Sequence, residues 1–157
     1  MANIGTRVPA FKLRGTNQQY MTNENLLGTA YILAFFPAAF TGVCQKELCT
    51  FNDSLAQLNT ASTTVFGVSV DGPLTQNAFK EQNGLNFHLL SDHDRAATRA
   101  FDIAFENFAG TSGYTVSQRA VFIVDADGIV RYSWVAPNPG VEPDYDEVLT
   151  ASATVTP

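Results

Sequence analysis

Residues 30–36 form an unbroken run of apolar and aromatic side chains, which Pro37 ends. A run of this length without polar alternation is typical of a strand buried on both faces of a sheet. Helical spacing follows directly, because apolar side chains recur at intervals of four and three residues at Cys44, Leu48, Phe51, Leu55 and Leu58. A buried strand that leads into an amphipathic helix predicts an α/β fold with helices on both faces of the sheet.

The rest of the chain continues this alternation. The predicted elements are an N-terminal strand at 8–14 that enters a β-hairpin, strands at 63–70, 87–90, 119–124 and 129–135, and helices at 75–82 and 94–101. The turn at 125–128 favours a hairpin between the last two strands, so we expect a mixed central sheet. Residues 106–118 are predicted to be loop. We expect a single domain over 1–157, with 137–157 an extended tail apart from a helical turn near 146–150.

Charge and hydropathy limit the kinds of partner. The net charge is −6 and the sequence has no Lys/Arg cluster, so we expect no binding to nucleic acid. The longest apolar run is too short to cross a bilayer, and no basic stretch followed by an apolar stretch opens the chain. The sequence therefore predicts a cytoplasmic protein without membrane contact, and in that compartment two cysteines are usually not a structural disulfide.

Cys44 occupies the position in this sequence that most favours nucleophilic chemistry. It falls in the first turn of the predicted helix, just after the buried strand, with Thr41 and Gly42 where a cap and a first helical residue belong. Unpaired backbone N–H groups and the positive end of the helix dipole gather at such a point. Both stabilise a thiolate, which is the form of cysteine that attacks electrophiles.

The same segment carries a family resemblance. Residues 37–44 read Pro-Ala-Ala-Phe-Thr-Gly-Val-Cys, which is similar to the peroxiredoxin pattern Pro-x-x-x-Thr-x-x-Cys, and the similarity extends from Val8 to Trp134. Around Cys44 the chain resembles the alkyl hydroperoxide reductase E branch. Cys49 instead resembles the resolving cysteine of the bacterioferritin-comigratory, or Q-type, branch. The resemblance implies a thioredoxin-like fold and a thiol peroxidase that needs no cofactor and no metal.

It also implies roles for individual residues. Cys44 is expected to be the peroxidatic thiolate, and Arg119 to stabilise its anion and orient the peroxide oxygens. Thr41 is expected to hydrogen-bond the sulfur or the peroxide, and Pro37 to shield the site from water.

Three further residues are expected to contact the substrate or support the site. The backbone N–H groups of Val43 and Cys44 are expected to hold the developing negative oxygen. Glu47 is expected to orient Arg119 or a neighbouring helix, and Phe40 to line a substrate entrance or a subunit contact.

Cys49 is the candidate for resolving the Cys44 sulfenic acid as a disulfide. On a regular helix, residues five apart have Cα atoms roughly 8–9 Å apart, beyond the limit of about 7 Å for a disulfide. The bond therefore requires the first helical turns to unwind. The expected partners are a hydroperoxide substrate, thioredoxin or another thiol reductant, and a second copy of the chain in a homodimer.

Other interpretations remain open at this point. The pattern is also compatible with Cys49 as a small apolar side chain at the edge of the core. The protein would then use a one-cysteine mechanism. A peroxide sensor or chaperone-like binding protein would use the same oxidation as a switch. A thioredoxin-type dithiol oxidoreductase is a weaker alternative, because the sequence lacks Cys-x-x-Cys. A zinc site is disfavoured by the Cys-x4-Cys spacing.

Overall fold

The computed structural model describes residues 2–54, 58 and 62–155, and all structural statements below concern these residues. The strands are β1 (Lys12–Gly15), β2 (Tyr20–Thr22), β3 (Ala30–Phe35), β4 (Thr63–Ser69), β5 (Leu89–Ser91), β6 (Ala104–Phe105), β7 (Val116–Ser117), β8 (Ala120–Val124) and β9 (Val130–Val135). The α-helices are α1 (Gly42–Asp53), α2 (Pro73–Asn83), α3 (Ala96–Ala100) and α4 (Tyr145–Val155), and a short 3-10 turn covers Phe108–Gly110.

A seven-stranded mixed sheet organises the fold, in the order β2-β1-β5-β4-β3-β8-β9. β3 pairs with β4 in parallel and with β8 in antiparallel orientation, and all six of its residues are buried. The strand predicted at 30–36 is therefore central, as its apolar run indicates. The predicted N-terminal hairpin is also present as β1 and β2, although its first strand begins at Lys12 rather than at residue 8.

The side chains of β3 alternate between two hydrophobic cores, one on each face of the sheet. Tyr31, Leu33 and Phe35 lie in the first core together with Ala97 of α3. Ile32 and Ala34 lie in the second core, which also contains Leu48 and Phe51 of α1, Phe79 of α2 and Val148 of α4. Helices thus cover both faces of the sheet, as predicted.

The boundaries of α1 and α2 follow from local chemistry. In α1, Cys44, Leu48 and Phe51 are buried on one face, as their spacing predicts. The helix ends at Asp53, before the last two positions of the predicted pattern. Of these two, Leu58 is buried and Leu55 lies outside the described residues. Helix α2 has Pro73 in its first turn, where its missing N–H costs nothing. It ends at Asn83, and Gly84 caps it with a φ of 61°, the left-handed conformation that glycine adopts readily.

Two predicted irregular segments contain regular structure. The loop predicted at 106–118 includes the 3-10 turn and strand β7, which pairs with β6. The helical turn predicted near 146–150 is part of a longer helix, α4, so the prediction of an extended tail is wrong for 145 and 151–155. Val148 of this helix is fully buried, and the Asp144 side chain accepts a hydrogen bond from the N–H of Glu147 at 3.1 Å. Burial of an apolar face and a cap on the first turn outweigh the prolines that precede the helix.

The four helices differ from membrane spans in length and composition. None of them, in the described part of the chain, is long and apolar enough to cross a bilayer.

Gly67 of β4 provides a test of packing between the sheet and its helices. A Cβ at this position would lie 2.6 Å from Leu89 Cδ2 and 3.3 Å from Phe36 Cε1. Because both neighbours are fully buried, we expect Gly67→Ala to lower the free energy of unfolding by about 1–3 kcal/mol. Urea denaturation measures this change. Gly72→Ala is the control, since its Cβ meets open space, and an equal effect of the two substitutions would contradict the packing argument.

Candidate active site

Cys44 is the third residue of α1 and is 1 % exposed. The helix begins after the Thr41 cap, and the first intrahelical hydrogen bond runs from Gln45 N to Thr41 O at 2.9 Å. The N–H groups of Gly42, Val43 and Cys44 precede that bond, so they have no acceptor within the helix. The sulfur therefore lies where backbone dipoles favour negative charge.

Arg119 brings a positive charge to the same sulfur. It directly precedes β8, the strand beside β3, and it is 2 % exposed. Its Nη2 atom donates to Cys44 Sγ at 3.2 Å. Burial, the strongest influence, favours the neutral guanidine, but the negative charges of Glu47 and Cys44 together raise the pKa of Arg119. The guanidinium is therefore charged and is shared between two buried acidic groups.

Glu47 is the second of these acidic groups. Its Oε2 atom lies 3.4 Å from Arg119 Nη1, and the side chain is fully buried. Among the described residues, neither carboxyl oxygen of Glu47 has a hydrogen-bond partner. Burial raises the pKa of Glu47 to about 8, because it outweighs the opposing effect of Arg119. Burial thus favours the protonated carboxyl group, while the contact with Arg119 favours the carboxylate.

The main chain of the C-terminal segment supplies another partner for Arg119. The carbonyl oxygen of Pro139 accepts hydrogen bonds from Nη2 at 2.9 Å and from Nε at 3.2 Å. The segment is held against α1 by an ion pair between Lys46 and Glu142 at 3.1 Å. Sequence reasoning missed Pro139, because its contribution is a backbone carbonyl and no side-chain motif signals it.

A cavity of about 240 Å³ opens beside the sulfur. It is lined by Pro37, Thr41, Gly42, Val43, Cys44, Phe108, Arg119, Pro139 and Gly140. Most of these residues present apolar surface, and Arg119 is the only Lys, Arg, Asp or Glu among the described residues that line the cavity. Pro37, Thr41, Val43, Cys44 and Arg119 are thus brought together, as predicted from the sequence.

Of the two neighbouring residues Phe40 and Thr41, Thr41 lines the cavity and Phe40 does not. The Thr41 hydroxyl donates to the carbonyl oxygen of Ala38 at 3.1 Å, so its oxygen can accept a hydrogen bond from a molecule in the cavity. Phe40 does not line the cavity. Its ring is 48 % exposed and packs edge-to-face on Phe79, with centroids 5.2 Å apart. The structure therefore does not place Phe40 at the substrate entrance.

Cys49 also lies away from the cavity. It is partly buried on α1, and its sulfur is 3.9 Å from Asn83 Oδ1 of α2. Burial, and then the charge of Asp53, raise the pKa of the Cys49 thiol. Both cysteines are free thiols. The described residues contain no cluster of three or more His, Cys, Asp or Glu side chains that could hold a metal ion.

Comparison with known proteins identifies this arrangement. Residues 4–133 match the model of the AhpC/TSA family. Alkyl hydroperoxide reductase E of Mycobacterium tuberculosis is 36 % identical over 136 residues, which cover 85 % of each chain. Peroxiredoxin Bcp of Escherichia coli is 30 % identical over 128 residues, 82 % of each chain. The chain therefore belongs to the AhpC/TSA family, and it is a peroxiredoxin, a thiol-dependent peroxidase.

Solved structures support the same conclusion. The bacterioferritin comigratory protein of Xanthomonas campestris, studied for its alkyl peroxide reduction activity, superimposes with a TM-score of 0.80 at 26 % identity. That match covers 92 % of this chain and 90 % of the other. The thioredoxin-like fold and the resemblance to the two branches predicted from the sequence are confirmed.

The protonated state of Glu47 makes a testable contribution to stability. Its pKa rises from 4.5 to about 8 on folding, so between these pH values the folded state holds a proton that the unfolded state has released. The contribution of this proton to the free energy of unfolding is fully present below pH 4.5 and is lost as the pH rises through 8. As the pH rises from about 5 to about 8.5, we therefore expect the free energy of unfolding to fall less in the Glu47→Gln variant than in the wild type.

Urea denaturation across this pH range checks the expectation. Glu24→Gln, a substitution at an exposed position, serves as the control. Parallel pH profiles for the wild type and Glu47→Gln would show that Glu47 ionises normally in the folded protein.

Proposed function

We propose that this peroxiredoxin reduces hydroperoxides through the thiolate of Cys44. The thiolate attacks one oxygen of the peroxide, the O–O bond breaks, and a proton goes to the leaving oxygen. The products are the Cys44 sulfenic acid and water or an alcohol. The observation that carries this proposal is the 3.2 Å contact between Arg119 Nη2 and Cys44 Sγ at a buried helix N-terminus.

Arg119 stabilises the thiolate and the negative charge that develops on the peroxide oxygens. A buried guanidinium interacts strongly with such charge because little water screens it. Glu47 acts on Arg119 rather than on the substrate. Its carboxyl group lies 3.4 Å from Arg119 Nη1 and does not line the cavity, so it positions the guanidinium without contacting the peroxide.

The remaining cavity residues orient the peroxide. Thr41 accepts a hydrogen bond from the peroxide O–H, since its own proton is used by the Ala38 carbonyl. The N–H groups of Val43 and Cys44 donate to the oxygen that gains negative charge. Pro37 excludes water and adds no competing donor.

The apolar cavity wall fits an organic hydroperoxide as well as hydrogen peroxide. Phe108 and Pro139 line the cavity, where they contact the carbon substituent of an alkyl hydroperoxide. An apolar substituent that leaves water for this surface gains roughly 25 cal/mol for each Å² buried.

Cys49 resolves the sulfenic acid after local unwinding of α1. In the folded helix Cys49 is too far from Cys44 to bond, and its raised pKa keeps it a thiol. Unwinding shortens the distance and returns Cys49 to water, where it ionises more readily. A thioredoxin-like dithiol then reduces the Cys44–Cys49 disulfide.

The exposed ring of Phe40 provides an apolar contact for a homodimer.

The first test is turnover. With thioredoxin, thioredoxin reductase and NADPH, we expect steady peroxide consumption by the wild type and none by Cys44→Ser. Cys49→Ser should still consume about one equivalent of peroxide in a single turnover. Stoichiometric oxidation of the wild type without turnover would instead support a peroxide sensor.

The second test addresses the disulfide. After one equivalent of peroxide, we expect the intact mass of the wild type to fall by two hydrogen atoms. Cys49→Ser should instead gain one oxygen atom. Amide hydrogen exchange in the first turns of α1 should accelerate in the oxidised wild type. A gain of one oxygen in the wild type, with α1 still protected, would indicate a one-cysteine mechanism.

A further inference from the structure

The turn between β3 and α1 carries Pro37 and Thr41 and is held in an unfavourable conformation. Phe40 has a φ of 66°, in the left-handed region that a bulky side chain rarely adopts. Such backbone persists only where surrounding contacts fix it. The hydrogen bond from the Thr41 hydroxyl to Ala38 O lies within the turn itself and cannot fix the turn relative to the sheet.

Asp71 supplies an external contact for this turn. Its Oδ2 atom accepts a hydrogen bond from the N–H of Ala39 at 2.8 Å. Because β3 and β4 are parallel neighbours, the turn after β3 and Asp71, two residues after the end of β4, meet at the same edge of the sheet. Ala39 and Asp71 are 32 positions apart in the chain, so the sequence alone does not reveal their contact.

Buried polar groups hold Asp71 in turn. Its Oδ2 atom also accepts from Ser69 Oγ at 2.8 Å, and its main-chain carbonyl accepts from Ser91 Oγ at 2.6 Å. Gln76 Nε2 donates to Ser69 Oγ and to Leu90 O, both at 2.9 Å. Ser69, Ser91 and Gln76 are at most 1 % exposed. This network ties Asp71 to β4, β5 and α2, and none of its side chains lines the cavity beside Cys44.

We propose that Asp71 is a positioning residue for peroxide attack, which it supports by fixing the turn that carries Pro37 and Thr41. The proposal rests on the proposed function of Cys44. Asp71 touches neither Cys44 nor the cavity, so it acts through the N–H of Ala39. Its negative charge does not favour a nearby thiolate, so its contribution is to geometry and not to ionisation of the sulfur.

This distinction defines the experiment. Two rates are measured for wild type, Asp71→Ala and Asp71→Asn: oxidation of Cys44 by hydrogen peroxide, and alkylation of Cys44 by iodoacetamide as a function of pH. Cys49→Ser is the common background, so that only Cys44 reacts. Alkylation reports the thiolate without requiring a bound peroxide.

We expect Asp71→Ala to oxidise about tenfold to a hundredfold more slowly, as small displacements of reacting groups typically cause. The midpoint of its alkylation profile should stay unchanged or fall. Asp71→Asn should recover most of the oxidation rate, because its amide oxygen can still accept from Ala39. Ser69→Ala removes a hydrogen bond to the Asp71 carboxylate and should lower the oxidation rate less. Glu24→Ala removes a negative charge at an exposed position and should leave the oxidation rate unchanged.

The outcomes separate this proposal from the one on which it rests. An unreactive wild type would contradict the function proposed for Cys44. A reactive wild type with equally fast Asp71→Ala would overturn the role of Asp71 alone. An upward shift of the alkylation midpoint in Asp71→Ala would also overturn it, because the loss would then come from the sulfur. If Asp71→Ala does not fold, a wild-type rate in folded Ser69→Ala would contradict the proposal, and a reduced one would support it.

Discussion

Removing the Arg119 guanidinium from water costs several kcal/mol unless buried partners match its charge and its N–H groups. Two partners do so through hydrogen bonds, the Cys44 sulfur and the Pro139 carbonyl oxygen. Glu47 adds a carboxyl group at ion-pair distance. An anion on Cys44, as proposed for the reaction, would compensate the guanidinium directly, because Arg119 Nη2 lies 3.2 Å from the sulfur. The buried guanidinium and the proposed thiolate therefore stabilise each other.

The sheet makes this pairing possible. Cys44 follows β3 and Arg119 precedes β8, and because these neighbouring strands are antiparallel, both residues reach the same edge. β4 is parallel to β3 and brings Asp71 to that edge as well. One end of three adjacent strands thus brings Cys44, Arg119 and Asp71 close to one another.

The sequence was sufficient for the parts of this arrangement that are local. The apolar run at 30–36 and the spacing of Cys44, Leu48 and Phe51 defined the central strand and the helix after it, and the motif at 37–44 indicated the nucleophile. Arg119 could be assigned only through the family resemblance. The contacts of Pro139 and Asp71 were missed, because one uses a backbone carbonyl and both join distant segments. Only one turn of helix α4 was predicted, near 146–150, because the prolines before it hid the rest of a short amphipathic pattern.

The hydrogen bonds of Arg119 also have a consequence for biosynthesis. Cys44 leaves the ribosome 75 residues before Arg119, and Pro139 follows a further 20 residues later. A nascent chain therefore exposes a cysteine that has neither its cation nor the carbonyl that holds the cation in place. The contact between Cys44 and Arg119 forms only when the last strands have been made, and its support by Pro139 only when the C-terminal segment has docked.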